Sequence, residues 1–524
     1  MVRKAERTEQ ATVDLLSEQL RRRITDFDGK VFAGALLLAF AAHFYMFTNK
    51  FVNHDDVGDV LSRIRFGVIY GRWFLNIISE LGGDFSSPWL NGGLGAVFLS
   101  LGAVFTVKLF RVRHLLPALL MAGVMVTFPV VASTYTYMFV AYQFFFALAM
   151  AALGAWCICR EKLPWLGLGA LCVAVSTGTY QAYFAFAAVL VLTAYLSDLC
   201  TGRWENDWKR SLAAGLKYVG TLALGMLLYF AVMKLSLAVT GQKLVEYQGI
   251  DEMGIRSLDE LLRRIQEAYR GYFSFYLNRT GIFHKAIIPL SFTCMGLGLA
   301  GAILSLLKNG VWKHPLCLLM AAVCAALFPL ASSLTNVMSA AGTHTVMQYS
   351  MVVTLLLPGI LADRCPLPAG KSGQRFALSA VSALLLLELL CGYEGWLLCN
   401  RSYFYLDLTY ENLYSYATRL AAKVELQEGY TQDSEVAMIG THVMGSPVPV
   451  LSMTGVFSGD SAPNIYSWRL YLQNYLAARF REPPAGILAS IRYSEEFQSM
   501  PEYPAAGSIR SIQGVIVVKL HQEG

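Results

Sequence analysis

Asp55 and Asp56 are adjacent carboxylates in the stretch NHDDVGDVLSRIRFGVIYGRW (Asn53–Trp73), with His54 before them and Arg63, Arg65 and Arg72 behind. A carboxylate within reach of a hydroxyl can take its proton as the oxygen attacks carbon, so the pair has the residue type of a general base. Arginines offer planar, often bidentate donors to a phosphate; Arg65 and Arg72 are spaced to lie near one face if the segment is helical. The same residues have a plainer reading. An Asp just ahead of a helix is a good N-cap, and spacing by itself favours a solvated loop with a helix start. Further on, Tyr180 and Gln181 form a polar pair inside an apolar run, suited either to a hydroxyl-rich ligand or to satisfying the backbone of a turn. His344 and Gln348 stand at i and i+4, sharing a face if the segment is helical. Glu388 lies deep in an apolar run, as a buried hydrogen-bond partner or a proton-relay group.

What must position these residues is a membrane bundle. Apolar residues make up 55% of the chain and charged ones only 15%, with a mean hydropathy of +0.47. That is too little charge to cover a soluble protein of this length. The net charge of +6 needs no nucleic acid to explain it. Measured against a hydrocarbon core that takes about twenty residues per helix, the chain is expected to form about eleven spans. They run Val31–Asn49, Trp89–Phe110, Leu115–Thr134, Phe139–Cys159, two short spans within Pro164–Leu199 split at Ser176–Gln181, Leu212–Ala238, Ile287–Leu307, Pro315–Leu334, Val346–Ala362 and Phe376–Leu398. The first reads as an uncleaved signal anchor behind a polar, amphipathic segment (1–30) that ends in Arg21–Arg23.

Charge sets the expected orientation. Arg111 and Arg113, Arg160 and Lys162, Arg203, Lys209 and Arg210, Lys308 and Lys313, and Arg364, Lys371 and Arg375 fall on alternate connections. Those connections are therefore assigned to the cytoplasm, and the N-terminus with them. The other face receives a first outer loop (50–88), a second (240–285) and a C-terminal segment (400–524). Helical spacing from Val57 to Ile78 and from Leu258 to Ile265 predicts amphipathic helices on the membrane surface. The runs Val436–Gly440 and Gly514–Lys519 predict strands, hence a small outer α/β domain after the transmembrane domain (31–399). The ten cysteines avoid the C-terminal segment and form no zinc signature. No Walker motif, zincin helix or GxSxG elbow is present, which leaves nucleotide hydrolysis and serine chemistry without support.

A signal anchor, an outer loop with NHDD (Asn53–Asp56) and GRW (Gly71–Trp73), and TYQAY (Thr179–Tyr183) in an outer turn together resemble the bacterial family typified by O-antigen glucosyltransferase II. That family belongs to the GT-C class of polytopic membrane glycosyltransferases, and the similarity is best over about Val31–Phe184. The resemblance implies an all-α GT-C-like bundle in the bacterial plasma membrane. It implies a polyprenyl-phosphate glucose donor and transfer, with inversion, to a polysaccharide or glycolipid acceptor at the outer face. It implies Asp55 and Asp56 as catalytic residues and Arg72, with Arg65, at the donor phosphate. His54, Tyr180, Gln181, His344 and Gln348 are then substrate-binding candidates. Many GT-C enzymes carry an arginine near the start of a late span, where this chain has His344 and Gln348. A lipid phosphate neutralised by cationic side chains leaves without a metal, so no obligatory metal is expected, although adjacent aspartates suit Mg²⁺ or Mn²⁺. The alternatives are a transporter or flippase of lipid-linked saccharides, which would show inverted repeats and charged, broken midplane helices, and a polysaccharide polymerase.

Overall fold

The computed structural model describes residues 25–51, 55, 57, 67–83, 85–245, 257–277, 285–339, 343–442 and 465–521. Helices dominate. In chain order they are α1 (Asp26–Thr48), α2 (Leu75–Ser79), α3 (Pro88–Phe110), α4 (Leu115–Thr127), α5 (Pro129–Thr136), α6 (Met138–Ile158) and α7 (Leu163–Thr179). Then come α8 (Tyr183–Cys200), α9 (Trp208–Thr240), α10 (Leu258–Tyr276), α11 (Ile287–Lys308), α12 (Pro315–Ser332) and α13 (Leu334–Met338). The last are α14 (Val352–Leu355), α15 (Leu357–Arg364), α16 (Lys371–Glu425), α17 (Ile465–Leu476), α18 (Ala485–Arg492) and α19 (Glu495–Gln498).

Local chemistry sets several of these boundaries. Thr25 and Asp28 form a capping box at the start of α1, which answers two backbone donors that a helix start leaves open. Pro88, Pro129, Pro164, Pro315 and Pro358 each occupy a first turn, where a missing N–H costs nothing. The residue before a proline avoids the helical region; accordingly Phe128 breaks the predicted third span into α4 and α5, bent by 41°. Close packing follows from small residues: a Cβ on Gly102 of α3 would stand 2.3 Å from Leu148 of α6.

Among the described residues eight helices are long and apolar enough to cross a membrane, or nine with the bent pair. The expectation of about eleven counted two more. One is α7, an apolar helix of 17 residues, at the short end of the range for a span, as the two short spans expected there would be. The other, Val346–Ala362, is broken into two 3-10 turns, α14 and α15. The break falls just ahead of Pro358, and in the first turn of α15 the Gly359 N–H donates to Oε2 of the buried Glu388 of α16 at 3.0 Å.

The basic connections meet at one end of the bundle. Arg111 binds Asp198 of α8 through both carboxylate oxygens at 2.9 and 3.1 Å. Arg203 joins the same Asp198 and, at 3.3 Å, Glu161. Asp363 accepts from the Arg113 and His114 backbone N–H groups, and Arg364 donates to the Phe110 carbonyl at 2.9 Å. Asn206 reaches the Asn309 carbonyl.

α16 is a single helix of 55 residues, about 80 Å at the usual rise. It carries the last predicted span and the tyrosine-rich segment behind it without interruption, so residue 400 falls inside a helix. Beyond it a three-stranded sheet has the order β1-β3-β2 (β1 Val436–Ile439, β2 Ile509–Ile512, β3 Val515–Lys519). β3 runs parallel to β1 and antiparallel to β2; Gln513 and Gly514, both at positive φ, close the β2–β3 hairpin as a two-residue turn requires. All five residues of β3 are buried, because both sheet faces are covered. One face packs with α16 and α17 through Leu413, Leu420, Trp468, Ile516 and Val518. The other packs with α18 and α19 through Ile491, Phe497, Val515 and Val517.

Candidate functional site

Val57 to Ile78 is expected to form amphipathic helices on the membrane surface. Of that stretch the described part from Gly67 on forms a 3-10 turn (Val68–Tyr70) and α2, followed by a second 3-10 turn (Glu80–Gly82). Gly71, at φ +70°, ends the first turn, a conformation that side-chain-bearing residues adopt only with strain. Arg72 therefore sits in a turn, and the helical-face argument pairing it with Arg65 does not apply. His54, Asp56 and Arg65 lie outside the described residues.

This segment is docked on protein. The Phe74 N–H donates to the Gly178 carbonyl at 2.8 Å, and the Trp73 ring covers Gly178 so closely that a Cβ there would be 2.3 Å from it. Gln181 Nε2 donates to the Tyr70 carbonyl at 2.8 Å and to the Tyr229 hydroxyl of α9 at 3.4 Å. The α7–α8 turn, the predicted split of the apolar run, is thus the floor on which GRW rests.

Arg72, Tyr180 and Gln181 come together there. The Arg72 Nε donates to Gln181 Oε1 at 3.4 Å. Its guanidinium carbon lies 5.1 Å from the Tyr180 ring centre and 5.8 Å from that of Phe144. Tyr180 and Phe144 stack at 3.9 Å with planes 11° apart, and Tyr180 is buried. These distances set the guanidinium beside the rims of the stacked pair, with Gln181 as its hydrogen-bond partner. Among the described residues no carboxylate pairs with Arg72.

His344 and Gln348 form a second group. They flank a single 3-10 turn (Thr345–Met347), so they do not share an α-helical face as i and i+4 residues would. Gln348 Nε2 donates to Thr343 Oγ1 at 3.3 Å, which in turn donates to Asn336 Oδ1 at 2.8 Å. α10 packs beside them, with Arg264 donating to the Val337 carbonyl at 3.0 Å. The ring pairs Tyr180–Tyr183 (5.6 Å) and Tyr183–Tyr349 (6.1 Å) connect the two groups.

Asp55 is an exposed turn residue, two positions ahead of Val57, which is completely buried. Val57 packs in the cluster formed by α16, α17 and the sheet, and its carbonyl accepts from Asn474 Nδ2 at 2.8 Å. Sequence reasoning missed Tyr229 and Asn474. Tyr229 had a faint signal, as one of several hydroxyls in an apolar helix; Asn474 had none, being far away in the chain. Among the described residues no three His, Cys, Asp or Glu side chains converge as metal ligands.

The model of one protein family, glucosyl transferase GtrII, matches residues 44–355. The chain belongs to that GtrII family. No curated protein and no solved structure matches it. Glycosyl transfer is accordingly its activity, and a membrane its setting. The GtrII match spans Asp55, Arg72, the α7–α8 turn and the His344–Gln348 group, and ends before α16 and the sheet.

Proposed function

We propose that the chain moves glucose from a polyprenyl-phosphate donor to a cell-surface polysaccharide or glycolipid at the outer membrane face, with inversion at the sugar carbon. Family membership supports the sugar. The observation that carries the donor side is the Arg72 guanidinium, held by Gln181 beside the stacked Tyr180 and Phe144 rings with no carboxylate among the described residues to neutralise it. A phosphodiester-type leaving group gains negative charge as the bond from sugar to oxygen breaks, and a fixed cation stabilises that charge most where it develops. Gln181, with both amide atoms used inside the protein, braces Arg72 and the backbone ahead of it.

In this reading Asp55 or Asp56 accepts the proton of the attacking acceptor hydroxyl. The new bond from sugar carbon to acceptor oxygen forms opposite the departing lipid phosphate, which leaves with its electron pair on oxygen. Arg65 adds a second phosphate contact, and His54, Tyr180, His344 and Gln348 hydrogen-bond the sugar and acceptor. No step runs through Mg²⁺ or Mn²⁺.

The test is purified protein with polyprenyl-phosphate glucose and mass analysis of the glycan formed. Asp55→Asn and Asp56→Asn are made singly and together, and loss of the base is expected to slow transfer about 10²–10⁴-fold. Wild-type rates in all three variants would remove the base assignment. A chelator in the same assay is expected to leave the rate unchanged.

A further inference from the structure

We infer that the C-terminal unit is a positioning device for the loop that bears Asp55, and that Asn474 is its key contact. This rests on the reading of Asp55 or Asp56 as the base.

Val57 follows two aspartates and precedes Gly58 and Asp59. A valine in so acidic a loop would ordinarily be wet, yet its exposure is 0%. It shares a core with Leu413, Ala417 and Leu420 of α16 and Trp468 and Leu472 of α17, all beyond the end of the family match. Asn474 of α17 then fixes the backbone at that residue through the Val57 carbonyl. On the other side of Asp55, Phe51 is buried and its ring lies 5.2 Å from that of Tyr410, again on α16. Asp55 is therefore bracketed, four residues before and two after, by contacts to one helix and the unit packed on it.

The consequence concerns geometry. A base must sit within hydrogen-bond reach of the proton that it removes, and an exposed turn pinned at one end only would sample many placements. α16 runs unbroken from the basic end of the bundle to the sheet, so it offers the loop a support built into the bundle itself. Asn474 touches neither donor nor acceptor in this scheme; it acts through the placement of Asp55. Because Asn474 is itself exposed, replacing it empties no core.

The experiment uses the full chain in nanodiscs with polyprenyl-phosphate glucose. Asn474→Ala is expected to lower kcat about tenfold or more, the scale of a small misplacement of a catalytic group, with the donor KM within about twofold of wild type. Asn474→Gln keeps an amide donor and is expected to recover most of the rate; Asn474→Asp, nearly the same shape but without an N–H, is not. An activity-independent readout is alkylation of Val57→Cys by a membrane-impermeant maleimide. The thiol is expected to be protected, and to react several-fold faster once Asn474→Ala is added. An unchanged kcat in Asn474→Ala, equal loss in the Gln and Asp variants, or no gain in alkylation would each overturn the positioning role. Inactive Asp55→Asn with fully active Asn474→Ala would do so while leaving the base in place. Wild-type transfer by the aspartate variants would instead remove the base reading, independently of Asn474.

Discussion

Arg72 shows how much a single residue's surroundings add to its identity. Its guanidinium lies beside the stacked Tyr180 and Phe144 rings and donates through Nε to Gln181. Lysine keeps the charge and loses the planar fork of donors. Arg72→Lys is therefore expected to lower kcat/KM about tenfold or more. Tyr180→Leu, which removes the ring packed beside the guanidinium, is expected to cost roughly fivefold, about 1 kcal/mol. Steady-state transfer with varied polyprenyl-phosphate glucose measures both; an Arg72→Lys enzyme at wild-type kcat/KM would exclude a phosphate role that needs the planar fork. The residue types were legible beforehand, and Tyr180–Gln181 and Arg72 were singled out separately. Their meeting was not legible, since it depends on a left-handed turn at Gly71 and on Gly178 admitting Trp73. The opposite failure occurred at His344 and Gln348. An i, i+4 spacing implies a shared face only in an α-helix, and the backbone there is a 3-10 turn.

At the scale of elements, the docking of the Gly67–Gly82 segment on the α7–α8 turn depends on one close approach. A methyl on Gly178 would stand 2.3 Å from the Trp73 ring and must displace it. Gly178→Ala is expected to lower the thermal stability of the purified protein by about 1–3 kcal/mol, the usual cost of overpacking, and to lower transfer with it. A variant that melts and turns over like wild type would show that Trp73 does not rest there. In the C-terminal unit, His442 is buried, stacked on Trp468 at 3.9 Å and hydrogen-bonded to Tyr416. Burial disfavours its charged form and takes its pKa down to about 3 from 6.5. The unfolded chain thus binds the extra proton first: stability is fully present above pH 6.5 and is lost as pH falls towards 3. Between pH 6.5 and 5, before most carboxylates titrate, wild type is expected to lose up to about 1.4 kcal/mol per pH unit from this group. Melting curves of His442→Phe should show a flatter dependence over that window, and parallel curves would place the proton elsewhere. β1 and β3 were visible as apolar runs, whereas β2, with Arg510 and Ser511 at its centre, was not. The spans proved harder, because hydropathy counts residues without seeing that a proline breaks the helix they form, as Pro129 and Pro358 do.

For the whole molecule, the distribution of lysine and arginine and the length of α16 bear on the same question. Arg111, Arg203, Arg364 and the acids that bind them gather the connections after α3, α6, α8, α11 and α15 at one end. An excess of basic residues on one side of a bundle is the mark of the cytoplasmic face. α16 starts just after Arg364 at that end and extends about 80 Å, whereas a hydrocarbon core is about 30 Å thick. Its last turns, with the sheet and α17–α19 packed on them, are then expected to lie beyond the opposite face, on the side where Val57 meets Asn474. Impermeant-thiol labelling in intact cells tests this directly. Cysteine at the exposed Tyr493 position of the sheet unit is expected to react in intact cells, and cysteine at the exposed Lys209 position of a basic connection only after permeabilisation. The reverse pattern would put Asp55 and the lipid-phosphate chemistry assigned to Arg72 on the cytoplasmic side. It would overturn transfer at the outer face while leaving the contacts that hold the site together unchanged.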